Sequence, residues 1–139
     1  MSVIATDVSL FSNVVKHEYL PSEGYCRQVI TVNETASITY DIGTVLGLVT
    51  ATGQYKRVES TATDGSQTAA AVYIGTNLGD YTSQAITAAT PTTVVAITRG
   101  PAILVEPMLE FGASISTQAA RNTQEGYLAN LGIIVIPQN

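Results

Sequence analysis

From Cys26 to Glu106 the sequence is a train of short runs rich in β-branched and apolar residues, each stopped by Gly, Asn, Asp or Pro. Segments this short cannot present a packed helical face, which takes about 10–12 residues, so they read as strands. Arg27 to Val32 (RQVITV) and Ala36 to Tyr40 (ASITY) form a strand pair around a polar Asn33-Glu34-Thr35 turn. After Asp41-Ile42-Gly43 comes Thr44 to Ala51 (TVLGLVTA), where Gly47 marks a bulge or a close backbone approach. Thr52-Gly53 turns the chain into Gln54 to Val58, which completes a β-hairpin. Glu59 to Thr68 is a polar connection, Ala69 to Thr76 a further strand, and Asn77 to Pro91 irregular. Thr92 to Arg99 is a strand that Gly100-Pro101 breaks; Ala102 to Glu106 resumes it and Pro107 ends it.

The period changes near the end. A helix capped at Ser116 or nearby runs to about Leu131, with Ala120, Thr123, Tyr127 and Leu131 close to one face and Leu128 beside them. Gly126 within it costs roughly 1 kcal/mol relative to Ala, and Gly132 supplies the stop. Ile133 to Ile136 is a final apolar strand. The expected fold is β-rich α+β: a small, partly open barrel or sandwich with one C-terminal helix, preceded by an extended arm.

That arm is residues 1–24, and residues 25–139 form the body. The arm carries Val3, Ile4, Val8, Leu10, Phe11, Val14, Val15 and Tyr19 among Ser, Thr and Asn, and Leu20-Pro21-Ser22-Glu23-Gly24 turns it into the body. So many apolar side chains must be covered by something, either the chain's own body or a partner. It has no basic start followed by an unbroken apolar run, so it does not read as a signal peptide, and a cytosol is the expected place of synthesis. No stretch approaches the roughly 18 apolar residues that span a bilayer, so no membrane partner is expected.

Charge narrows the function classes. Charged residues make up only 12% of the chain, against a usual share of about 25%. A surface of Thr, Ser, Gln and Asn is cheaply desolvated and so is compatible with extensive interfaces. The net charge is −5 and the only basic pair is Lys56-Arg57. Nucleic-acid binding needs clustered cations to replace phosphate counterions, and is not expected.

Little in the sequence carries chemistry. Cys26 is the only cysteine, which rules out an intramolecular disulfide and a Cys-based metal site. His17, the only histidine, lies in the arm, away from the rigid frame that catalytic geometry needs. Glu106 and Glu110 are separated by Pro107 from any helical register and read as solvated rather than as an acid/base pair. Gly75-Thr76-Asn77-Leu78-Gly79 lacks the Gly-Lys-Ser/Thr of a phosphate loop, and Asp41, Asp64 and Asp80 stand too far apart in sequence to suggest calcium. No cofactor, metal or catalytic residue is expected, and the seven Tyr read as core or interface packing without a sequence cluster of aromatics and cations.

The order of several short motifs carries a resemblance. Gly43-Thr44-Val45-Leu46-Gly47, the hairpin to Tyr55, Asp64-Gly65-Ser66-Gln67 before Ala69-Ala70-Ala71-Val72, Arg99-Gly100-Pro101-Ala102, and Leu128-Ala129-Asn130-Leu131-Gly132-Ile133 follow one another. In that order they resemble the head decoration proteins of tailed bacteriophages, similar to the lambda decoration protein D, over roughly Gly43 to Ile136. The resemblance implies a homotrimeric cement protein that binds the outer surface of the virion's mature head at three-fold or quasi-three-fold sites. Its partner would be the major capsid protein of an HK97-type shell, and the chain would be made in the bacterial host cytoplasm. It also implies that the arm touches the shell, through Val3, Ile4, Val8, Leu10, Phe11, Val14, Val15 and Tyr19. The N-terminal third departs from the lambda-type pattern. There the strands holding Val29, Ile30, Val32 and Ile38 would augment capsid strands. A tail or fibre module, or a receptor- or glycan-binding domain with an aromatic-lined pocket, is the alternative; a small enzyme would need a pocket of perturbed carboxylates.

Overall fold

The computed structural model describes residues 14–19, 24–78 and 80–137. Ten strands are β1 (Val15–Glu18), β2 (Arg27–Val32), β3 (Ile38–Tyr40), β4 (Val45–Val49), β5 (Gln54–Arg57), β6 (Ala69–Thr76), β7 (Gln84–Ile86), β8 (Thr92–Ile97), β9 (Ala102–Val105) and β10 (Ile133–Ile136). An α-helix, α1, spans Gln118–Ala129. A closed barrel has the order β2-β5-β4-β6-β8, and β8 returns to β2 over six antiparallel pairs from Arg27↔Ile97 to Val32↔Thr92. Closure between β2 and β5 is parallel and rests on Val32↔Tyr55. Two smaller sheets flank it, β1-β9-β10 and the ribbon β3-β7.

The barrel follows from the apolar pattern. β6 is buried along nearly its whole length, Ala71, Val72, Tyr73 and Ile74 being fully inaccessible. Such a run with no polar face needs cover on both sides. Val45, Leu46, Ile30 and Val94 are all buried in the core, and α1 packs against β6 and β10. Thr117 caps α1 by accepting the Ala120 N–H, one residue beyond the expected cap, and Gly132 (φ +85°) follows its end.

Three expectations change. The strands β2 and β3 do not pair with each other: β2 lies between β8 and β5, while β3 pairs with β7 inside the stretch expected to be irregular. Asn33-Glu34-Thr35 is not a hairpin turn because Glu34 is drawn inward. Its carboxylate accepts the Tyr40 O–H and, at 2.6 Å, the Arg57 backbone N–H. The buried side of α1 is Gln124 and Leu128 with Ala120 packed beside them, whereas Tyr127 and Leu131 face outward. A polar residue on the inward face defeats an apolar count. Gln124 is there because its amide accepts the Ala69 N–H and donates to Gln67 O, both at 2.9 Å.

The arm is described from Val14 to Tyr19. Val14 and Val15 are buried in the body's own core, and β1 pairs antiparallel with β9 from Val15↔Leu104 to Glu18↔Ala102. Residues 14–19, on the arm's side of the expected boundary at Gly24, thus pack against the body. Val3, Ile4, Val8, Leu10 and Phe11 lie outside the described residues.

Candidate functional site

The groups with chemical potential are dispersed. His17 is exposed on the outer side of β1, opposite Ile103. Cys26 is buried, its thiol directed at Pro101 O (3.4 Å) and Tyr19 O (3.7 Å). Among the described residues no group of three or more His, Cys, Asp and Glu comes together.

Glu106 and Glu110 are partly buried, each against partners other than one another. The Glu106 carboxylate, 16% exposed, is held by the Arg121 guanidinium, which also donates to Glu106 O and lies 4.6 Å over the Phe111 ring. Burial, then the neighbouring Glu106, pushes the Glu125 carboxyl up to about 7. Burial, then a hydrogen bond and charge from Asp41, pushes Glu110 up to about 7. Raised carboxyls often mark active sites. Here each sits at a joint between elements: Glu110 O accepts from Val45 N (2.8 Å), and Glu110 N donates to Gly43 O (2.9 Å).

Two open hollows of about 310 Å³ each flank the Glu34 loop. Their charges are already engaged. Glu34 is satisfied by Tyr40 and Arg57, and Asp64 is held well below the usual carboxylate range by Ser66 and by Lys56 at 2.9 Å. Among the described residues no metal cradle is formed.

The short motifs turn out to meet one another in space. A Cβ on Gly47 would collide with the Ser66 backbone, and one on Gly65 with Leu48 O and Thr50. The Gly-Thr-Val-Leu-Gly and Asp-Gly-Ser-Gln motifs are thus two sides of one backbone contact. Gly100 packs equally closely on Gly132, joining the Arg-Gly-Pro-Ala motif to the end of α1. Gln124 ties α1 to the segment that leads into β6. These motifs specify packing and carry no reactive group.

What remains on the surface is aromatic. Tyr19 and Tyr25 stack edge to face with centroids 5.4 Å apart, and Arg99 lies 4.7 Å over the Tyr25 ring while its Nε donates to Tyr25 O at 2.7 Å. Nearby, Arg27 is locked to Glu18 at 2.7 Å and lies 5.1 Å over Tyr81. Beside Tyr19, the outer face of the small sheet presents His17, Ile103 and Ile134 in register across its three strands. No sequence window contains this cluster, because its members span positions 17 to 134; only β pairing assembles them.

Of the other surface candidates, Val29 is exposed on β2, and Ile38 is half-buried on β3. Ile30 and Val32 are buried in the core, so their side chains are already committed to the barrel.

No curated protein matches the chain. The family model described as bacteriophage lambda head decoration protein D matches residues 11–133. The match includes β1, β2 and β3, the third of the chain that departs from the lambda-type motifs, as well as the barrel and α1. The chain belongs to the bacteriophage lambda head decoration protein D family, and is a structural component of the phage capsid rather than an enzyme.

Proposed function

We propose that this chain is a cement protein of the outer capsid surface, acting as a homotrimer at three-fold or quasi-three-fold sites and clamping neighbouring major capsid proteins of an HK97-type shell. The observation that carries the reading is the family match over residues 11–133. The physical account is linkage. A protein that binds the assembled shell and not free subunits stabilises the shell by mass action. Symmetric copies multiply modest contacts through effective concentration. A low fraction of charged residues, 12%, keeps the desolvation cost of a broad contact small.

Within this reading the arm contacts the shell through Val3, Ile4, Val8, Leu10 and Phe11, and Tyr19 flanks it from the body. Val14 and Val15 act indirectly, by fixing β1 to β9 where the arm begins. Strand addition belongs to the β3-β7 ribbon at Ile38, since the ribbon's outer edges have no partner strand among the described residues. Val29 offers an apolar contact beside it on the barrel.

Cryo-EM of the native particle tests the proposal. The expected result is density for three copies of the chain over each three-fold position on the outer shell. Density on the tail, inside the head, or as isolated single copies would overturn it.

A further inference from the structure

We propose that the face built by Tyr19, Tyr25 and Arg99, beside the outer side of the β1-β9-β10 sheet, holds an acidic polypeptide segment of the capsid shell. This rests on the capsid-binding reading and goes further by naming the surface and the chemistry of its partner.

The first argument is charge. The chain has six Lys and Arg, and four of them (Arg27, Lys56, Arg57 and Arg121) each lie within 4 Å of a carboxylate. The other two, Lys16 on β1 and Arg99, have no carboxylate partner among the described residues, although the chain as a whole carries −5, and Arg99 is the one that lies over an aromatic ring. On an acidic protein with few cations, an exposed guanidinium without a carboxylate partner among the described residues can receive negative charge from outside. An arginine in this state suits a carboxylate from outside, which it can bind through two parallel N–H bonds.

The second argument is preorganisation. Arg99 is fixed against the Tyr25 ring and carbonyl, so one edge of its guanidinium is held while the rest stays available. Tyr25 is in turn stacked on Tyr19, and the two rings remain 42% and 45% exposed. Rigid tyrosines beside an arginine are the composition of interface anchors, because they bury a large area at small entropic cost. Ile134, 47% exposed, lies next to Ile103 on the same outer face and extends the apolar area.

The third argument is shape. Two hollows are lined by residues between Asn33 and Asp64 with Ala89, and neither includes Tyr19, Tyr25 or Arg99. Shallow aromatic relief with a charged centre fits an extended polypeptide better than a sugar, which needs a concave pocket.

The test uses the full chain and purified expanded heads lacking it, from the phage that encodes it. Co-sedimentation is compared for wild type, Arg99→Glu, Arg99→Lys and Tyr25→Ala, with Asn122→Glu on the exposed side of α1 as a charge control. Arg99→Glu and Tyr25→Ala should each weaken binding at least tenfold, and Arg99→Glu should flatten its salt dependence. Arg99→Lys should fall between, and Asn122→Glu should bind like wild type. Nitration of the wild-type chain with tetranitromethane removes any dependence on the variants' folding: Tyr19 and Tyr25 should be protected on heads and reactive in solution. Variants that bind like wild type, or tyrosines equally reactive on and off the heads, would overturn the inference while leaving capsid binding intact. Tyrosines that stay reactive on heads but are protected by host polysaccharide would overturn it in favour of a glycan. A wild-type chain that fails to bind heads at all would overturn the capsid reading and this one together.

Discussion

Gly100 and Gly132 pack backbone against backbone: a Cβ added at Gly100 would lie inside contact distance of the Gly132 carbonyl. The contact joins the start of β9 to the start of β10, where Gly100 N donates to Leu131 O at 2.8 Å. A side chain there must push two main chains apart. Gly100→Ala is expected to destabilise the fold by about 2–3 kcal/mol, the range for overpacking a site that cannot yield. Gly126 is the opposite case, on α1 with nothing within 4 Å of its hypothetical Cβ. Gly126→Ala should stabilise by about 0.5–1 kcal/mol. Urea unfolding of both variants measures the contrast.

Gln124 supplies a second test. It is 4% exposed, and both ends of its amide bond the backbone near the start of β6. Gln124→Leu keeps the volume and removes both partners, leaving the Ala69 N–H buried and unpaired. The expected loss is about 1–3 kcal/mol, measured as a lower urea midpoint with an unchanged slope.

Stability should fall as pH rises through neutrality. Burial, then Asp41, raises Glu110 to about 7 against the opposing charge of Arg57; burial, then Glu106, raises Glu125 to about 7 against Arg121. A carboxyl raised in the fold binds its proton more tightly there than in the unfolded chain. Its stabilisation is complete below the ordinary value of 4.5 and is lost as pH rises through about 7. Both groups keep solvent contact, so the loss between pH 5 and pH 8 should be on the order of 1 kcal/mol. Asp64 and Glu59 act in the other direction at lower pH. Ser66 and then Lys56 hold Asp64 low; at Glu59, burial is outweighed by hydrogen bonds from Ser114. Their contribution is present above the ordinary carboxylate range and is lost as pH falls through their lowered values. Urea midpoints from pH 3 to pH 8.5 should therefore show a maximum near pH 5, and Glu110→Gln with Glu125→Gln should flatten the alkaline limb. An unchanged limb in the double variant would assign it to other groups.

Truncation separates arm from body. Removing residues 1–13 should leave the unfolding free energy within about 0.5 kcal/mol of wild type, because β1 keeps its pairing with β9. Binding to heads should drop. Removing residues 1–19 also deletes β1, uncovers Leu104 and the Cys26 thiol, and leaves Arg27 without Glu18. That variant should unfold far more easily. Circular dichroism melts with co-sedimentation distinguish loss of an anchor from loss of a strand.

The strands were legible because their apolar runs and turn residues are local. Arg27 to Val32, Ala69 to Thr76 and Ile133 to Ile136 appear where the residues place them, and the β4-β5 hairpin forms at Thr52-Gly53. Partner choice was not legible. Nothing between Val32 and Ile38 says that β2 closes a barrel while β3 leaves it for β7. The inward turn of Glu34 depends on Tyr40 and Arg57, which only the fold brings to it. Glu106 and Glu110 misled in the same way: Pro107 correctly marks a break, but burial against α1 and Asp41 is a tertiary fact. The Tyr19-Tyr25-Arg99 face is the extreme case, since its charge and its rings lie on separate strands and loops.

The sheet order β1-β9-β10 has a further consequence. Val15 opens β1 opposite Leu104, and Ile136 closes β10 opposite Val105, so the body begins and finishes on the same rim with one strand between. Two strand spacings are about 10 Å, which a linker of roughly four or five residues spans. The body can therefore be cut open at the exposed Ala51-Thr52-Gly53 turn and rejoined from Ile136 to Val15 as a circular permutant. In such a molecule any polypeptide attached at the new ends would ride on the β4-β5 turn, at the barrel rather than on the small sheet, and the stretch before Val14 would no longer be the place where the chain starts.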